Sequence, residues 1–210
     1  MRRIPIYIAA LFAGISCAKQ QPRIETGDLL FQVGAESAMS RAITDATQCD
    51  SRLNFTHVGI VLAAEGADSV LEATSNGGVC TTALGEFLDR SARIGSRPAV
   101  VAMRLRDTSG VAASVARARS FTGLPYDYSY RPDNNRMYCS ELVWESYRDS
   151  LGVRIFPARP MNFRAADGTM PAFWTELFEK LGEPIPEGVP GTNPNDMAHD
   201  PHLEEIGRWF

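Results

Sequence analysis

Residues 138–147, "YCSELVWESY", set a cysteine at the start of a helical pattern, directly after a polar, turn-rich loop. Counted from Cys139, the residues Leu142, Val143, Ser146 and Tyr147 return to its own face. Glu141, Glu145, Arg148 and Asp149 take the opposite face. The spacing predicts an amphipathic helix with the thiol on its inward stripe. Unpaired N–H groups in a first turn favour a thiolate and can bind the oxyanion of a tetrahedral intermediate. A small, packed core cysteine fits the same position. What separates the two readings is whether a base lies elsewhere in the chain.

The chain has three histidines. His199 and His202 sit together in a proline-rich tail, which leaves His57 as the base candidate. It lies in "FTHVGIVLA" (55–63), a predicted strand with Val58, Ile60 and Leu62 on one face and His57, Gly59 and Val61 on the other. Glu72 follows in "DSVLEAT" (68–74), on the same face as Val70. If the two strands pair, it can lie beside His57 and hold the far ring nitrogen. A structural histidine and a solvated strand carboxylate are the competing readings. No His, Cys, Asp or Glu cluster has the spacing of metal ligands, His199-Asp-Pro-His202 being a weak match, so no metal and no cofactor is expected.

Around these segments the pattern predicts a strand over "GDLLFQV" (27–33) and a helix over "ESAMSRAITDAT" (36–47), then another helix over "TTALGEFLDRS" (81–91). "AVVAMRLR" (99–106) reads as a strand. "SGVAASVARARSFTG" (109–123) reads as a helix capped by Ser109 and stopped at Gly123, and "PAFWTELFEKLG" (171–182) as an amphipathic helix. Proline becomes frequent beyond about residue 157, and the last 28 residues read as extended chain ending in a short helix. Strands and helices mix without regular βαβ alternation, which predicts an α+β fold.

The N-terminus reads as an address. Arg2 and Arg3 precede the apolar run "IPIYIAALFAGIS" (4–16), too short to span a bilayer, so residues 1–16 are expected to be an export signal. The ending "GISC" is similar to a bacterial lipoprotein processing site, with Cys17 as the lipidated residue and membrane anchor. Gly14 stands where leucine is usual, so plain signal cleavage fits as well. Residues 17–26 read as a linker and 27–210 as one domain with a Pro-rich C-terminal extension. An oxidising compartment suits a Cys49–Cys80 disulfide with Cys139 free; three unpaired thiols fit the count equally. The net charge of −4 and a pI near 5.4, with no basic run longer than Arg2-Arg3, argue against nucleic acid as partner.

Taken in order, "GDLLF", "THVGIVL", "VLEAT" followed by "GV", "GLPYD" and "YCSELVW" resemble the permuted papain-like amidases of the YaeF/YiiX type, within the NlpC-like cysteine peptidase superfamily. The resemblance runs from about Gly27 to Tyr147, and "EGVPGTNPNDMA" in the tail shares it. It implies a circularly permuted papain-like fold, an antiparallel sheet packed against helices, in which the histidine strand precedes the cysteine helix. It further implies Cys139 as nucleophile, His57 as general base and Glu72 as the orienting residue. Tyr126 of "GLPYD" and Tyr138 beside the cysteine would line the substrate or oxyanion pocket. Glu141 replaces the glycine of non-permuted relatives, so their pocket details do not transfer. The expected activity is cleavage of an amide in a peptide or acyl-amide of the cell envelope, plausibly in peptidoglycan, in the periplasm or on the outer membrane. Two alternatives are a lipid-directed acyl hydrolase or transferase, for which an apolar groove would speak, and a non-catalytic envelope-binding lipoprotein.

Overall fold

The computed structural model describes residues 21–47 and 53–210. The expected export signal 1–16, Cys17 with its lipidation and Cys49 lie outside the described residues, as does the linker before Gln21.

The first half of the chain builds a meander. Strand β1 (Leu29–Gln32) and helix α1 (Ala38–Thr47) are followed by β2 (His57–Leu62), β3 (Ser69–Thr74) and β4 (Gly78–Ala83). After α2 (Leu84–Asp89), a small ribbon of β5 (Arg93–Ile94) and β6 (Arg97–Pro98) leads into β7 (Val100–Leu105). The second half carries α3 (Val111–Ser120), α4 (Cys139–Ser146), β8 (Arg159–Pro160), α5 (Ala172–Leu181), β9 (Pro190–Gly191), α6 (Pro194–Ala198) and β10 (Leu203–Arg208). Six strands form one antiparallel sheet in the order β10-β7-β1-β2-β3-β4.

Both faces of the central strands are buried, so β1 and β2 read as continuous apolar runs. Leu29, Phe31, Val58, Ile60 and Leu71 face the larger cluster, where α4 lies. Leu30, Val61, Val70, Val100 and Ala102 face a smaller one with Phe87 and Trp209. Tyr147, fully buried at the end of α4, donates to the Gly27 carbonyl at 2.8 Å and ties that helix to the entry of β1.

Three expectations change. Thr81–Ala83 belong to β4 and not to the helix, because Leu71↔Thr81 and Val70↔Thr82 complete a hairpin whose turn residues Asn76-Gly77 suit a tight reversal. Gly110, not Ser109, stands at the N-cap of α3. The chain ends in a strand and not a helix: Leu203–Arg208 pair with β7, whose N–H and C=O groups would otherwise form an open edge.

Two glycines hold the sheet close to its neighbours. A Cβ on Gly59 would come within 2.3 Å of Val70 and 3.2 Å of Phe87, so the packing over the Glu72 side of the sheet needs a residue without a side chain there. Gly78 has φ +61°, and a Cβ on it would meet the Leu124 carbonyl at 2.2 Å. That approach lets Val79 exchange hydrogen bonds with Gly123 and Leu124, which lays "GLPYD" alongside the sheet.

Candidate active site

The antiparallel register Ile60↔Leu71 carries Glu72 along β3 to the stretch of β2 that begins at His57. His57 Nε2 and Glu72 Oε2 are 2.6 Å apart. Glu72 is fully buried and its other oxygen accepts from Arg90, the C-cap residue of α2. Two cationic or proton-donating partners thus share one fully buried carboxylate. Burial alone would raise the Glu72 pKa, but the hydrogen bond and charge of His57, with lesser help from Thr82 and Arg90, hold it down to about 2.

Cys139 opens α4, whose N-cap Tyr138 has extended backbone. Cys139, 6 % exposed, shares one cleft wall with His57 and helps to raise its pKa. With Nε2 occupied by Glu72, Nδ1 is the ring nitrogen left for another partner. Burial would lower the His57 pKa, yet the hydrogen bonds to Cys139 and Glu72 outweigh it and lift the imidazole to about 10. The ring packs against Phe87, with centroids 5.7 Å apart.

The charged residues on the opposite side of α4 suit a solvated face, but that side does not meet water at Glu141. Glu141 is 2 % exposed, because the "GLPYD" loop and the C-terminal tail cover the helix all round. Its carboxyl accepts from the Tyr138 N–H at 3.2 Å, which satisfies one orphan donor of the first turn. Burial raises its pKa to about 9, over the opposing effect of that hydrogen bond, with Asp127, Glu145 and Asp133 adding to the rise. The folded acid therefore stays protonated where the unfolded one, near 4.5, ionises, and stability falls as pH rises from about 4.5 to 9. Glu141→Gln keeps the acceptor and removes the titration. It should match wild type near pH 4.5 and exceed it by a few kcal/mol at pH 8 in denaturant melts.

Two spaces adjoin the thiol. A cleft of about 300 Å³ is shared by Cys139, His57, Arg90 and Tyr126, with hydroxyls from Ser40 and Thr74. A pocket of about 40 Å³ lies on the other side, walled by Tyr126, Tyr130, Tyr138, Phe163 and Trp174. The tail closes this side: Ser140 Oγ donates to the Thr192 carbonyl at 3.1 Å, and the Thr192 N–H donates to Tyr138 Oη at 3.2 Å. Asn195 accepts from the Phe55 N–H at 3.0 Å, just before the histidine strand. The tail is thus a part of the site, not a wrapping over the body.

The structure brings together Cys139, His57, Glu72, Tyr126 and Tyr138. Cys80, paired with Glu72 in the β3–β4 register, is a free thiol, and its expected partner Cys49 is not described. Sequence reasoning missed Arg90, Gln32 and Thr56 on the cleft wall, and Tyr130 and Trp174 behind it. Arg90 carries no motif, since it arrives by way of α2. A signal was available for the aromatics in the density of Tyr around 126–138.

A cysteine opening a helix, against an imidazole and carboxylate on an antiparallel sheet, defines the class of papain-like cysteine hydrolases. The chain belongs to the family described as permuted papain-like amidase enzymes, YaeF/YiiX, C92 family, whose pattern matches residues 23–207. It is 27 % identical over 206 residues to the uncharacterized protein YiiX of Escherichia coli (strain K12), covering 97 % of this chain and 95 % of that one. The crystal structure titled "metalloprotein yiiX", from Escherichia coli O157:H7, superposes with a TM-score of 0.71 at 26 % identity, over 91 % of this chain and 99 % of that one.

Proposed function

We propose that this protein is a cell-envelope hydrolase that cleaves an amide bond in a peptide, with Cys139 as nucleophile, His57 as acid–base and Glu72 as its orienter. The carrying observation is the Glu72–His57 pair at 2.6 Å, with His57 and Cys139 on the wall of one open cleft. Nε2 keeps its proton on the carboxylate, and Nδ1 carries the proton that the sulfur gives up, so the resting ring is an imidazolium. The thiolate attacks the carbonyl carbon, forming the S–C bond, while the oxygen gains charge near the Cys139 N–H, which has no intrahelical acceptor. His57 then protonates the departing nitrogen as the C–N bond breaks, leaving a thioester. Water, deprotonated by His57, attacks that thioester and releases the acid and the thiol. Tyr126 and Tyr138, which line the spaces beside the sulfur, position the acyl group.

A peptide fits better than a lipid. The 300 Å³ cleft has hydroxyl, amide and guanidinium groups on its wall, while the aromatic pocket holds about 40 Å³, room for a few waters and not for an acyl chain. The envelope assignment rests on the export pattern of residues 1–16. The residues do not fit a resident metal: among those described no three His, Cys, Asp or Glu side chains gather as ligands, and both Glu72 oxygens are taken up by His57 and Arg90.

The test is incubation of the purified protein with peptide fragments of peptidoglycan, reading new primary amines and acid-quenched mass spectra. Amine release with an acyl adduct on the Cys139 peptide is expected. Absence of both across amide substrates would overturn the proposal.

A further inference from the structure

Among the described residues Arg90 is the one permanently charged side chain on the wall of the 300 Å³ cleft, and no Asp or Glu lines that wall. In a chain with net charge −4, a cleft with an arginine and no carboxylate among its described lining residues is a local reversal of sign. Glu72 does not cancel it toward solvent, being fully buried while the Arg90 side chain is 45 % exposed. A guanidinium carries five N–H donors in a planar fork. Among the described residues the Arg90 side chain makes one hydrogen bond, to Glu72, and leans on the Phe87 ring at 5.9 Å. Its partly exposed side chain lines the cleft that holds the thiol. Thr74 and Ser75, on the same wall, add neutral hydrogen-bonding groups and no competing charge.

We infer that Arg90 is a specificity residue: it recognises a carboxylate on the substrate, so that the preferred amide lies in a peptide with a free carboxylate close to the scissile bond. The inference rests on Cys139 being the nucleophile, and the same arginine, by holding Glu72, also positions His57. Recognition and positioning separate experimentally, because damage to the relay slows every substrate alike, whereas loss of recognition slows the anionic one alone.

Iodoacetate and iodoacetamide are a matched pair, one bearing a carboxylate and one not. With either, the Cys139 thiolate displaces iodide, forming an S–C bond as the C–I bond breaks. Alkylation of the Cys139 peptide is followed by mass spectrometry in wild type, Arg90→Gln and Arg90→Lys, with unfolded protein as reference. The iodoacetate-to-iodoacetamide rate ratio should fall at least about threefold in Arg90→Gln and stay within about twofold of wild type in Arg90→Lys. Should Arg90→Gln not fold, Glu72→Gln with and without Arg90→Gln gives the same comparison, since removing both partners leaves no unpaired buried charge. A ratio unchanged on loss of the arginine overturns this inference alone. Labelling in wild type no faster than in unfolded protein overturns the reading of Cys139 as nucleophile.

Discussion

Cys139→Ala is expected to lower amide hydrolysis by about four orders of magnitude or more, to the level of buffer, while the protein keeps its melting temperature within a few degrees. The side chain lost is small and sits at the head of α4, whose packing comes from Leu142, Val143 and Tyr147. The chemistry has no substitute, because Ser140 is fully buried and its hydroxyl is committed to the Thr192 carbonyl. The variant also removes the Cys139 thiol, which together with Glu72 lifts His57, so the imidazole should titrate lower, as an NMR titration of its ring protons would show. Residual hydrolysis at the wild-type rate would place the chemistry elsewhere.

Glu72→Gln is expected to cost between about a hundredfold and ten-thousandfold in kcat/KM. Glutamine can still accept from the ring, but it brings no charge, and its amide can turn toward Nε2 and upset the tautomer. With its carboxylate in place, His57 retains its proton to about pH 10, so wild-type activity should persist to that limit before the alkaline limb falls. In the variant that limb should move toward 6.5. The stability of the pair follows the same ionisations. The share owed to Glu72 is present above about pH 4.5 and lost as pH falls through about 2. The share owed to His57 is complete below about 6.5 and lost as pH rises through about 10. The difference in unfolding free energy between wild type and variant should therefore be greatest between about pH 4.5 and 6.5, in denaturant titrations across that range. An alkaline limb that does not move would remove Glu72 from the relay.

Much of this site was legible before any coordinates. Period-two alternation in "THVGIVL" and "VLEAT" put His57 and Glu72 on one face, and a helical start put Cys139 at a positive end. These are local signals, written within six to ten residues. Glu141 misled for the opposite reason. Helical spacing says which side of a helix a residue takes, but not whether that side meets water, and here the "GLPYD" loop and the tail cover it. The same holds for the last strand: "LEEIGRW" has a mixed pattern that becomes a strand only because β7 offers an unpaired edge.

The amino-acid order by itself determined the strands, the helix that opens on Cys139 and the three candidate side chains Cys139, His57 and Glu72, since each depends on periodicity and side-chain chemistry within one short segment. Tertiary structure alone decided that Arg90 shares Glu72 with His57, that Glu141 is a buried neutral acid, and that Thr192 and Asn195 of the tail brace the site. Those outcomes hang on desolvation and on contacts between segments up to 140 residues apart, neither of which leaves a local trace in the chain.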